Sequence, residues 1–107
     1  MTGLAVPSRP VRAAPLTERA FQARVLDLAK LYGWMVFHPY SSRRSTAGFP
    51  DLVLARHGQV LFVELKTDTG QLSVAQRQWR DALPDARCWR PRDWRDGTIA
   101  RHLRDGL

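Results

Sequence analysis

Pro50-Asp51-Leu52-Val53-Leu54-Ala55-Arg56-His57-Gly58-Gln59-Val60-Leu61-Phe62-Val63-Glu64-Leu65-Lys66 decides the reading of this chain. Two apolar runs, Leu52 to Arg56 and Val60 to Lys66, flank a turn holding His57-Gly58, the pattern of a β-hairpin. In such a ribbon the start of the first strand lies beside the end of the second. Asp51 then meets Glu64 and Lys66. Residues two apart on a strand share a face, so Glu64 and Lys66 point into one pocket while Leu65 points into the core. Its main-chain carbonyl becomes an available oxygen ligand. Two carboxylates, a carbonyl and an ammonium at one end of a sheet suit a divalent metal held against a phosphodiester, with Lys66 orienting or deprotonating the attacking water. A surface Glu64–Lys66 ion pair alone is a weaker explanation, because exposed pairs contribute little and charge at a buried strand end is costly without a partner.

Outward from the hairpin, the chain reads as a single small domain with a leading arm. Residues 1–15 carry Pro7, Pro10 and Pro15 with Arg9 and Arg12 and show no periodicity, which predicts a mobile basic arm; residues 16–107 form the domain. Thr17 can cap a helix whose stripe is Phe21, Val25, Leu28 and Tyr32, with Leu16 and Phe21 at hydrophobic-staple positions and Gly33 as the stop. Trp34 to His38 reads as a first strand buried on both faces. A polar loop, Ser41 to Gly48, precedes the hairpin. Ser73-Val74-Ala75-Gln76 fits a capping box opening a helix through about Ala82, broken by Pro84-Asp85. Arg87 to Arg90 suggests a fourth strand, and Ile99 and Leu103 a short final amphipathic helix. The order αβββαβα indicates an α/β fold with a mixed central sheet flanked by helices.

Seventeen basic against ten acidic residues give a net charge of +7 and a pI of about 11.0. That field favours a polyanion, nucleic acid first, although arginine-rich coding alone could produce it. Lysine occurs only at Lys30 and Lys66. Where arginine is the default cation, a lysine two residues after a glutamate points to a need for compact, titratable charge. No apolar run has the length of a membrane span, and Met1 to Pro15 has no secretion-signal core. The single cysteine, Cys88, excludes an intrachain disulfide or a cysteine-based zinc cluster. These features suggest a reducing cytoplasm.

Other candidates have two readings each. Glu18 is a favourable dipole partner in the first helical turn or a site acid, and Gln22, one turn on, shares its fate. Gln76 is the capping-box glutamine or a site residue near the exit of the third strand. Arg43 and Arg44 are phosphate contacts or solvated loop charges. Trp79 reads as a core anchor. Cys88 has no adjacent base, and the three histidines lack metal-ligand spacing.

Gly48-Phe49-Pro50-Asp51-Leu52, then Glu64-Leu65-Lys66, then Ser73-x-x-Gln76-x-x-Trp79 resembles the VRR-NUC family of the PD-(D/E)XK nuclease superfamily, from Leu16 to Leu103. The resemblance implies a restriction-endonuclease-like core and magnesium- or manganese-dependent phosphodiester hydrolysis. Position by position it implies that Glu18 is the helix-one acid, Asp51 and Glu64 the metal carboxylates and Lys66 the catalytic lysine. Gln76 matches the glutamine of the following helix and Gln22 a second helix-one position. Small members resemble homodimeric Holliday-junction resolvases, so branched DNA and a second copy of the chain are the expected partners, with helix one and the Ser41–Thr46 loop as candidate pairing surfaces. The rival expectations are a non-catalytic basic DNA-binding module and a restriction- or flap-type nuclease, the restriction type needing base-reading elements a chain this short scarcely holds.

Overall fold

The computed structural model describes residues 16–39 and 46–106; the expected basic arm and the arginines Arg43 and Arg44 lie outside the described residues. Helix α1 (Glu18–Leu31) leads into β1 (Met35–Phe37), β2 (Leu52–Arg56) and β3 (Gln59–Leu65); then come α2 (Val74–Ala82), β4 (Ala86–Trp89), α3 (Pro91–Arg95) and α4 (Thr98–Asp105). The sheet order is β1-β2-β3-β4, antiparallel through β3, with β4 added parallel to β3 after the α2 crossover. This is the mixed α/β architecture expected from the sequence, consistent with a restriction-endonuclease-like core.

Local chemistry accounts for the elements. The Thr17 hydroxyl accepts the Ala20 N–H at 3.1 Å and starts α1. Phe21, Val25 and Ala29, each four residues apart, are fully buried, while Leu28 and Tyr32 pack at the edge of the core. The stripe is therefore rotated slightly from the expected one, with Ala29 rather than Leu28 fully buried. His57 and Gly58 both have positive φ, 51° and 80°, the conformation a two-residue hairpin turn needs to match strand twist. At α2 the Ser73 hydroxyl accepts the Gln76 N–H at 3.1 Å and the Gln76 side chain accepts the Ser73 N–H at 2.8 Å, completing the capping box.

Leu52, Leu54, Leu61, Val63 and Leu65 project from one face of the sheet and bury against Phe21 and Val25 of α1 and Ile99 and Leu103 of α4. At the end of β2 remote from Asp51, the Arg56 guanidinium donates to three carbonyls, Tyr32 at 3.0 Å, Leu103 at 2.9 Å and Arg104 at 3.2 Å, and lies 4.6 Å from the centre of the Trp34 ring. One cation thus satisfies carbonyl groups at the C-terminal ends of α1 and α4, where the helix dipoles favour positive charge.

Three expectations need correction. β1 spans only Met35–Phe37 and is covered on one face, with Val36 turned inward and Met35 and Phe37 exposed. It is a sheet edge, and α2 lies over the β4 side of the opposite face. The final segment is two helices, because Gly97 in the left-handed region (φ 84°) turns the chain between α3 and α4. Trp79 is only half-buried and anchors a loop, not the core: its indole N–H donates to the Ala47 carbonyl at 3.2 Å.

Candidate active site

The β2–β3 ladder pairs Leu52 with Val63 and Val53 with Phe62. Continuing that register by one residue sets Asp51 opposite Glu64, where side chains on one face approach most closely. The two carboxyl groups face each other closely enough to interact directly. Asp51 is fixed further by the Leu65 N–H, which donates to Oδ2 at 2.8 Å. Glu64 is only 9% exposed, and its Oε2 accepts from Gln76 Nε2 at 3.0 Å. Because the Ser73 N–H occupies the Gln76 Oε1, the amide can present only its NH₂ group to Glu64. Gln76 thus makes two contacts at once: it caps α2 and donates to the Glu64 carboxyl.

Burial, followed by the charge and hydrogen bond of Asp51, pushes the Glu64 carboxyl up to about 8; Lys66 opposes the shift and Glu18 adds to it. A buried acid facing a second acid requires either a proton or a cation between them. Hard carboxylate oxygens suit magnesium or manganese, with the Leu65 carbonyl at the same strand end as a further oxygen donor. Among the described residues, no three Asp, Glu, His or Cys side chains gather closely enough to hold a metal ion; the acids that face each other are Asp51 and Glu64. Glu18 stands with it across an open cleft of about 300 Å³ lined by Glu18, Arg19, Gln22, Asp51 and Leu65. The structure therefore brings the two helix-one candidates to the hairpin end. Arg19 was not singled out from sequence; its position beside Glu18 in the first turn of α1 is the one signal that marks it.

The segment delivering Asp51 is seated on α2. Gly48 (φ 82°) abuts the Ala75 and Gln76 backbone so closely that it has no room for a side chain. Phe49 packs edge-to-face on Phe62 and Trp79, at 6.1 and 5.1 Å between ring centres, and Pro50 is buried. On the other side of the site, the Lys66 N–H donates to the Trp89 carbonyl at 3.0 Å. The loop after it is stapled by Arg90, which donates to the Thr67 and Gly70 carbonyls at 2.6 and 2.7 Å. Asp68 accepts from the Arg92 N–H at 2.9 Å and the Arg95 side chain at 3.0 Å, contacts that hold its carboxyl below the ordinary range. No local motif announces the contacts of the Arg90 guanidinium or of Asp68, since those partners lie 20 or more residues away in sequence. Cys88, paired in register with Glu64, is half-buried, and its thiol is pushed up by burial.

The Glu64 shift has a measurable consequence. The native metal-free protein holds a proton that the unfolded chain releases above its ordinary value of 4.5. This contribution to stability is complete below that value and is lost as pH rises through about 8. His102 titrates in the opposite sense, since burial and then Arg87 and Arg101 lower its value from 6.5, so its contribution grows up to that pH. The clear window is therefore pH 6.5 to 8. In EDTA the melting temperature is expected to fall across that window, by an amount corresponding to a few kcal/mol at most. Saturating magnesium or the Glu64→Gln substitution should flatten the slope, and a slope unchanged by Glu64→Gln would contradict the assignment.

The VRR-NUC domain profile matches residues 18–89, from Glu18 of the cleft through the end of β4, and so includes every residue just described around the carboxyl pair except Arg90, Arg92 and Arg95. No curated protein and no solved structure matches the chain significantly. The profile covers well over half of the chain in an α/β fold, and the chain belongs to the VRR-NUC family of the PD-(D/E)XK nuclease superfamily.

Proposed function

We propose that this nuclease-family chain is a magnesium- or manganese-dependent, structure-selective DNA endonuclease that acts as a homodimer on branched DNA, in the manner of a Holliday-junction resolvase. The observation that carries the metal-dependent reading is the facing Asp51–Glu64 pair, buried on the Glu64 side and hydrogen-bonded by Gln76. Asp51 and Glu64 would hold the cation, with the Leu65 carbonyl and Glu18 as further donors. A bound divalent ion supplies charge neutralisation at the phosphate and a more acidic water. The chain's own residues do the rest. Gln76 keeps the Glu64 oxygens aimed, and the Leu65 N–H keeps Asp51 from rotating away. Lys66 places an ammonium at the same strand end, where it orients or deprotonates the water and offsets charge building on phosphorus. Glu18 and Gln22 shape the opposite wall of the cleft. Arg43 and Arg44, outside the described residues, are assigned to backbone phosphates, in keeping with the net charge of +7.

Symmetric resolution of a four-way junction needs two cuts, and one subunit of this size presents one site; that is the reason for two copies. The reading places the protein in the cytoplasm with the DNA. Among the described residues, no helix is long and apolar enough to cross a membrane.

Purified protein incubated with labelled four-way junction, flap, splayed-arm and linear duplex tests the reading. Paired incisions in the junction with magnesium or manganese, none with EDTA, and little attack on linear duplex are expected. Cleavage that survives EDTA would remove the metal from the mechanism. A fixed cleavage pattern on linear DNA would indicate a restriction-type enzyme, and binding without cleavage of any substrate would leave a DNA-binding module.

A further inference from the structure

Among the described residues, the sheet face opposite the main core is only half covered. The Phe49 and Trp79 rings pack around Phe62, and α2 lies against β4. Beyond them, the strand register sets Met35, Ala55 and Val60 in one row and Phe37, Val53 and Phe62 in the next. Met35 is 76% exposed, Phe37 62% and Val60 43%. An uninterrupted apolar run such as Trp34 to Phe37 is the pattern of a strand covered on both sides, yet this fold covers one. β1 is also the end of the sheet and pairs only with β2 among the described residues.

Two properties select the occupant. The first is charge. Leu31 to Pro39 contains no Asp, Glu, Lys or Arg, in a chain of net charge +7. A polyanion gains nothing at this face, whereas two equally basic molecules can meet here with the least repulsion. The second is self-complementarity. An occupant must offer backbone donors and acceptors to the free edge as well as apolar side chains to the bare face. An antiparallel copy of β1 offers both. With a two-fold axis at Val36, Met35 stands beside Phe37 of the partner subunit, and Phe37 beside Met35 of the partner subunit, two sulfur–aromatic cross-strand pairs on the uncovered face.

We infer that the uncovered face and free edge of β1 form the interface with a second copy of this chain, joined as a continuous antiparallel sheet about Val36. This rests on the dimeric reading above and places the contact on β1, not on helix one or the Ser41–Thr46 loop. The exposed apolar patch is of the order of a few hundred Å² per subunit, at the small end for specific association, so the dimer dissociates in the range of about 1 μM to 1 mM.

Sedimentation equilibrium of the full chain, from about 1 μM to 1 mM, tests the inference. Wild type is expected to pass from the 12.2 kDa monomer to twice that mass. Met35→Glu/Phe37→Glu should weaken association at least about a hundredfold while the far-UV circular dichroism and melting temperature stay close to wild type, because both side chains are exposed. Met35→Leu/Phe37→Leu and Leu31→Glu on helix one should both keep the dimer. Should the doubly charged chain fail to fold, Phe37→Ser alone replaces it. A dimer that survives the charged pair unchanged overturns this interface and leaves the dimeric reading standing. A wild-type chain that stays monomeric throughout overturns both, and one that stays monomeric yet floats with neutral phosphatidylcholine vesicles reassigns the face to a lipid surface.

Discussion

Asp51→Asn is expected to lose cleavage by a factor on the order of a thousand while DNA affinity is retained or slightly increased. The substitution separates charge from scaffold. An asparagine oxygen can still accept the Leu65 N–H that Asp51 accepts at 2.8 Å, so the start of β2 keeps its anchor. What disappears is one of the carboxylate charges that would hold a divalent ion. Loss of several kcal/mol of electrostatic stabilisation at the reacting phosphate corresponds to three or more decades in rate. Glu64 also loses the charged neighbour that, after burial, contributes most to its shift, so its carboxyl should titrate below the wild-type value of about 8. Single-turnover cleavage on the preferred substrate, DNA binding in calcium and a carboxyl NMR titration measure the three effects. Cleavage within tenfold of wild type would place the chemistry elsewhere.

Gly48→Ala is expected to be the most damaging alanine substitution among the described glycines. Gly48 has φ 82°, where an L side chain is strained by roughly 1–2 kcal/mol. The added Cβ would also stand 2.5 Å from the Ala75 carbonyl carbon and 2.7 Å from the Gln76 nitrogen. Both are backbone atoms at the start of α2, so no side-chain rotation relieves the overlap. The helix must shift, and with it the Gln76–Glu64 and Trp79–Ala47 hydrogen bonds. A loss of about 3 kcal/mol or more, roughly 15 °C in melting temperature, is expected. Gly58 makes the control: its φ is 80°, but a Cβ there meets nothing within 4 Å. Gly58→Ala should cost only the conformational strain, and equal losses at the two sites would show that the α2 contact carries no weight.

The hairpin and capping box were legible in sequence because their determinants are local: turn residues at two fixed positions, and a serine three residues before a glutamine. Asp51, Glu64 and Leu65 could be placed together for the same reason, since hairpin register alone brings strand ends side by side. The missing cover over β1 was not legible, because the composition of Met35-Val36-Phe37 records what the strand needs and not which neighbour supplies it. Nor was Arg56, which reads as an ordinary surface cation until carbonyls from α1 and α4 arrive at it. The Arg90 contacts with the loop after Lys66 form only when β4 docks parallel to β3. Arg19 shows the same limit from another side, for its one signal is indirect: it stands next to Glu18 in the first turn of α1.

The shared amide of Gln76 narrows what evolution can accept at that position. For helix initiation alone, glutamate and glutamine are interchangeable, since either supplies an oxygen to the Ser73 N–H. Toward Glu64 they are opposites: glutamine donates a hydrogen bond to the carboxyl group, whereas an ionised glutamate would add a negative group to a crowded, poorly hydrated pair. A substitution that looks conservative from the helix's side is thus unfavourable from the carboxyl's, and the start of α2 cannot drift independently of the acid pair it touches.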